Sequence, residues 1–131
     1  MAEAREGGVA DPAAIVEEWQ TRAWGECDLD VVDELIAEPF VRHSLNGSAK
    51  RTREELKADV REYRKALGRP MIELRDRVVD GDKVWLRTTI RGANLVTGEP
   101  RSIDRIQIYR IEHGLIAEVW SLHASDVDWD A

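Results

Sequence analysis

The chain has 131 residues, enough for one domain around a single buried core. Hydrophobic residues make up 43% and charged residues 34%, the balance of a globular fold rather than of a membrane or disordered chain. The net charge of −7 argues against general nucleic-acid binding, which needs clustered Lys and Arg, and against attraction to an anionic membrane surface.

The opening residues, Met1-Ala-Glu-Ala-Arg-Glu-Gly-Gly, lack the apolar segment of a signal peptide, and residues 1–10 are expected to form a disordered tail. No apolar run approaches the roughly 20 residues of a membrane span. The single cysteine, Cys27, cannot form an intrachain disulfide and fits a reducing, cytoplasmic setting. With no CxxC spacing and no neighbouring Lys or Arg, it reads as buried or idle.

Asp11-Pro12 marks a helix start, a capping side chain followed by Pro at the first helical position. Ile15, Val16, Trp19 and Ala23 recur at helical spacing until Gly25. Asp28 or Asp30 can cap a second helix whose apolar face is Val31, Val32, Leu35 and Ile36, ended by Pro39. Residues 40–44 read as a short extended segment and residues 45–51 as a loop. Thr52 and Glu55 make a capping-box signature. Leu56, Val60, Tyr63 and Leu67 then form one face of a third helix, ended by Gly68 and Pro70.

After Pro70 the period changes from helix to strand. Strands are expected over 71–79, 84–91, 101–111 and 115–123, with tight turns at Asp80-Gly81 and at Glu112-His113-Gly114. Sequential strands with short connections imply antiparallel pairing. On the second of these, Trp85, Arg87 and Thr89 share one face and Val84, Leu86, Thr88 and Ile90 the other. On the third, Ile103, Arg105, Gln107, Tyr109 and Ile111 lie opposite Asp104, Ile106, Ile108 and Arg110. Counting by twos along the last strand puts Ile116, Glu118, Trp120, Leu122 and Ala124 on its inward face. Neither middle strand is polar on one side, which implies burial on both faces: one on a cavity, the other on a second subunit. Helices first and strands afterwards imply an α+β domain with the helices on one face of the sheet.

Metal, nucleotide and nucleophile signatures are missing. His43, His113 and His123 show no HxH or HExxH spacing, and no GxGxxG, GxxxxGK[ST] or GxSxG run occurs. No cofactor and no metal site is therefore expected.

Taken in order, Gly25 to Asp30, Phe40 to His43, Asp80 to Val84 with Arg87, Thr97-Gly98, and Ile108-Tyr109-Arg110 with Gly114 to Trp120 resemble the SnoaL-like polyketide cyclase family of the nuclear transport factor 2-like superfold. The match runs from about Ile15 to Leu122. The resemblance implies a cone-shaped, curved antiparallel sheet with three helices packed on its concave face, a single domain over 11–124, and an acidic tail over 125–131. It also implies a homodimer through the outer sheet face and a pocket for a small hydrophobic carbonyl compound, polyketide-like or steroid-like.

The resemblance implies that His43 lines the pocket and acts as a general base, against the plainer reading of a structural histidine bonded to Ser44 or a backbone carbonyl. Trp120 is expected to shape the cavity or stack on a flat ligand. Glu118 is expected to need a partner, with Arg87, Arg105 and Arg110 available; Arg87 and Tyr63 are further candidates for ligand contact. The family's cyclases resemble one another in an Asp four residues after this Trp, and here that position is Ala124. Asp104, His123, if a bulge turns it inward, or Asp126 could replace the missing acid. The competing functions are a non-catalytic binding or partner module of the same fold and, third, an epoxide hydrolase using Asp104, Arg87 or Arg105, and Asp126.

Overall fold

The computed structural model describes residues 11–127 and residue 129. The expected tail over 1–10, and Asp128 and Asp130 of the acidic tail, lie outside the described residues.

Helix α1 (Pro12–Trp19) starts where Asp11 Oδ1 accepts the Ala13 N–H at 3.0 Å. It buries Ala13, Ile15, Val16 and Trp19. The helix then widens into a π-helical turn, Gln20–Gly25, which directs Gln20 and Ala23 into the interior. Helix α2 (Asp30–Leu35) is preceded by Asp28, whose carboxylate accepts the Asp30 N–H at 3.1 Å. Helix α3 (Arg53–Ala66) carries the full capping box, Glu55 N–H to Thr52 Oγ1 and Thr52 N–H to Glu55 Oε1.

Six strands follow this order: β1 (Ile36–Ser44), β2 (Gly47–Arg51), β3 (Leu67–Asp80), β4 (Lys83–Asn94), β5 (Pro100–Glu112) and β6 (Leu115–Ser125). They form one curved, unclosed sheet in the order β2-β1-β6-β5-β4-β3. The chain is thus α+β with a few helices against one sheet. The core joins Val16, Trp19, Val31, Val32, Leu56 and Val60 of the helices to Val84, Leu86, Tyr109 and Val119 of the sheet.

Three details differ from expectation. Residues 47–51 are a strand hydrogen-bonded to β1, not a loop, because Gly47 turns the chain at φ +104° and lets it fold back. Strand β3 begins directly at Leu67, and its first residues press on β4: a side chain at Gly92 would meet the Gly68 carbonyl at 2.7 Å. The sheet is mixed rather than antiparallel throughout, since β1 runs parallel to β6. Parallel neighbours need a long crossover, and here the path through α3 and four strands supplies it.

The β5–β6 hairpin turns on His113 and Gly114, both at positive φ, as its turn type requires. Just beyond it, Ile111 faces Ile116 but Arg110 faces Glu118. Strand β6 therefore carries one extra residue, Ala117, and the bulge reverses the phase of every later side chain.

Candidate functional site

A cavity of about 460 Å3 lies between the helices and the sheet. Trp19 and Trp24 enter it from α1 and the π-helical turn, Phe40 and Arg42 from β1, and Leu56, Asp59 and Tyr63 from α3. The sheet supplies Ile90 of β4, Ile103, Arg105, Gln107 and Tyr109 of β5, and Val119, Ser121 and His123 of β6.

The floor is a connected polar network. Arg105, 7% exposed, donates through Nε to Thr88 Oγ1 at 3.1 Å and through Nη2 to Gln20 Oε1. Gln20 Nε2 donates to Tyr109 Oη at 2.7 Å, and Tyr109 Oη donates to Gln107 Oε1 at 2.9 Å. Gln107 Nε2 closes the chain on Ser121 Oγ at 3.1 Å. Among the described residues no carboxylate lies within ion-pair distance of Arg105; its guanidinium instead sits 5.9 Å from the Trp24 ring. Burial lowers the Arg105 pKa and raises that of Tyr109. Burial also pushes the Tyr63 phenol up to about 12, so it stays a donor across ordinary pH. Tyr63 Oη and Trp24 Nε1 are buried with no hydrogen-bond partner among the described residues.

His123 stands directly opposite Arg105 across the β5–β6 ladder, at the exposed mouth of the cavity. The bulge at Ala117 puts it there: Val119, Ser121 and His123 face inward. Glu118, Trp120, Leu122 and Ala124 do not line the cavity, which corrects the count by twos from Ile116.

His43 is the main correction. It pairs in register with Trp120 and lies beyond the cavity, on the opposite face of the sheet. Its Nε2 meets Glu118 Oε2 at 2.6 Å and its Nδ1 meets Ser48 Oγ at 2.6 Å, so both ring nitrogens are committed. The ring stacks on Trp120 at 5.1 Å with planes 14° apart. Trp120 therefore packs against His43 rather than lining the cavity. Glu118 also accepts from Arg110 Nε at 2.9 Å, and His43, then Arg110, holds its carboxyl below the ordinary range.

The remaining candidates divide between the faces. Arg87 points outward and pairs with Asp76 at 2.7 Å. Asp104, 5% exposed, accepts from Thr89 Oγ1 at 2.6 Å on that same outer face, beside a second hollow of about 330 Å3. Asp126, at φ +57°, accepts from the Ser102 N–H and from Arg101; these contacts hold its pKa down and anchor the start of the expected tail. The Asp–Arg–Asp set required for epoxide chemistry is therefore not assembled in the cavity. Of the named candidates, Tyr63 and His123 line it, as does Arg105, which was named only for epoxide chemistry or as a partner for Glu118. Sequence reading missed Gln20 and Gln107 as site residues and did not give Arg105 the role of a cavity-floor cation. One signal was available: Arg105 and Gln107 interrupt the row that Ile103, Tyr109 and Ile111 share.

The model of the SnoaL-like domain matches residues 16–119. The chain belongs to the SnoaL-like family. Among solved structures, IdmH of Streptomyces antibioticus, provisionally assigned as a polyketide cyclase, is similar to this SnoaL-like chain at 24% identity. The match covers 88% of this chain and 92% of IdmH, with a TM-score of 0.76. TsrD of Streptomyces laurentii is 25% identical over 91% of each chain, with a TM-score of 0.73. A Catenulispora acidiphila protein with a ketosteroid isomerase-like fold, solved with trimethylamine, is 16% identical over 82% of each chain, with a TM-score of 0.69. No curated protein matches the chain in sequence. Among the described residues no helix is long and apolar enough to cross a membrane.

Proposed function

We propose that this SnoaL-like domain binds a small, largely apolar carbonyl compound, polyketide-like or steroid-like, and moves a proton on it without a cofactor, as a cyclase or isomerase. One observation carries the reading: a buried guanidinium with no carboxylate partner among the described residues lies at the cavity floor, across the ladder from an imidazole at its mouth. Taking a proton next to a carbonyl sends charge onto the carbonyl oxygen. Arg105 is the group placed to stabilise that charge in a poorly hydrated site. His123 is the group placed to take the proton and return it, since an imidazole does both near neutral pH. Trp19, Trp24 and Phe40 supply flat apolar walls. The assignment of IdmH as a cyclase supports the reaction class by family likeness.

Hydrogen–deuterium exchange of the α-protons of 2-tetralone, followed by NMR, tests the reading. The wild-type protein should accelerate exchange, and His123→Ala should remove the acceleration while circular dichroism stays native. Exchange at the buffer rate with wild-type protein would overturn acid/base chemistry. It would favour the second reading, a binding module, which the alanine at position 124 and the engagement of Asp59 by Arg42 and Arg51 support.

The reading includes a homodimer through the outer sheet face, where Trp85, Ile106 and Leu122 are 47%, 47% and 56% exposed. It also includes a cytoplasmic location, supported by the lone, unpaired Cys27.

A further inference from the structure

We infer that the cavity takes its ligand as an anion: an apolar skeleton bearing an oxyanion, either a carboxylate or an ionised enol, with Arg105 as its counter-charge. The inference rests on reading the cavity as a ligand site and goes beyond it by assigning the ligand's charge in the bound ground state.

The direction of the floor network carries it. A guanidinium has donors only, so the atom of Gln20 facing Arg105 must be its carbonyl oxygen. Gln20 must then present its amide nitrogen to Tyr109 Oη, at 2.7 Å, and to Gln107 Oε1, at 3.4 Å. Gln107 in turn must present its nitrogen to Ser121. One fixed charge thus sets the polarity of five side chains, and each side-chain oxygen between Arg105 and Ser121 is already accepting. What the network leaves unspent is the N–H capacity of Arg105 at Nη1, which has no partner among the described residues. Tyr63 Oη and Trp24 Nε1 add two more unpaired donors from side chains of the same cavity.

A site of unspent donors around a buried cation suits an acceptor that is itself charged. A neutral or cationic ligand would leave the guanidinium uncompensated in a low-dielectric floor. The carboxylates near the mouth do not offset it. Asp59 is held by Arg42 at 3.1 Å and by Arg51 at 2.7 Å, and Glu62 is paired with Lys65 at 3.1 Å. The outer face shows the contrast, since Arg87 and Arg110 each meet a carboxylate there.

Two matched pairs of probes test the inference on the whole chain, read by quenching of the cavity tryptophans Trp19 and Trp24. The first pair is 2-naphthoate and neutral 2-naphthamide. The second is the 2-phenylindane-1,3-dione enolate and its neutral methyl enol ether. At least one anion should bind about tenfold or more tightly than its neutral partner, about 1.4 kcal/mol. Which pair shows the difference separates carboxylate from ionised enol. Arg105→Gln should abolish the difference, and a difference that survives in that variant would overturn Arg105 as the counter-charge. The wild-type comparison stands even if that variant fails to fold. Neutral probes binding as tightly as both anions would overturn the inference and leave the ligand site intact. No binding by any of the four would overturn the inference and the ligand site together.

Discussion

The two faces of β5 and β6 use the same residue types to opposite ends. Outward, Arg110 is answered by Glu118, Glu118 by His43, and His43 stacks on Trp120, so charge is neutralised where it stands. Inward, Arg105 is held by two neutral oxygens, from Gln20 and Thr88, and keeps its charge unanswered. Partnered charges tie strands together at modest gain, whereas an unanswered buried charge is a standing cost that a ligand can relieve. On the proposed reading, the difference separates a face that ties the sheet together from one that takes a ligand. Variants outside should change assembly and stability; variants inside should change binding and turnover.

The largest effect expected is on assembly. Leu122→Asp would place a carboxylate of each subunit in the proposed apolar interface, at a cost of several kcal/mol. Sedimentation should show wild-type dimers become monomers while the cavity still binds its probes. A monomeric wild-type protein would remove the interface from the outer face. Next in size, His123→Ala should slow 2-tetralone exchange about 100-fold, or about 2.7 kcal/mol in barrier. His43→Ala should leave the exchange rate unchanged, and a loss there comparable to that of His123→Ala would reverse the assignment of the two faces.

Smaller effects fall on stability. Glu118→Ala removes one partner from each of His43 and Arg110, leaving them Ser48 and Glu112, and should cost about 2 kcal/mol, measured by urea denaturation, with exchange kinetics kept. The pH dependence is smaller still. The folded-state pKa values of Glu118 and Asp126 are lowered, so the unfolded chain binds their protons more readily. Their stabilisation is present above the ordinary carboxylate range and is lost as pH falls through the lowered values. The melting temperature should therefore drop on acidification below about pH 4. Glu118→Gln should flatten that drop, and an unchanged slope would show that the His43–Glu118 contact adds nothing to stability.

Much of the fold was legible because local rules and tertiary demands agree. The Thr52–Glu55 box, the Asp11-Pro12 start and the glycine turns each act within a few residues, and each is realised. The faces of β4 and β5 were legible for the same reason: these strands alternate without interruption, so Val84 to Ile90 and Ile103 to Ile111 sort correctly by twos. The site was less legible at β6. There the count by twos from Ile116 crosses the bulge at Ala117, and one extra residue exchanges His123 for Trp120 at the cavity wall.

By itself, then, the sequence determined most of the element types, the helix caps, the hairpin turns and the α+β class, which follow from short-range periodicity and turn chemistry, while the family came from a resemblance across the chain. Tertiary structure alone decided which histidine meets the cavity and which arginine is left without a carboxylate. Both depend on pairings between distant segments. His43 lies outside because β1 joins β6 in parallel at Trp120, 77 residues later in the chain. Arg105 lies inside without an acid because α1 and its π-helical turn bring Gln20, rather than a carboxylate, across 85 residues to meet it. Register and burial set those two outcomes, and neither is a property of any single window of sequence.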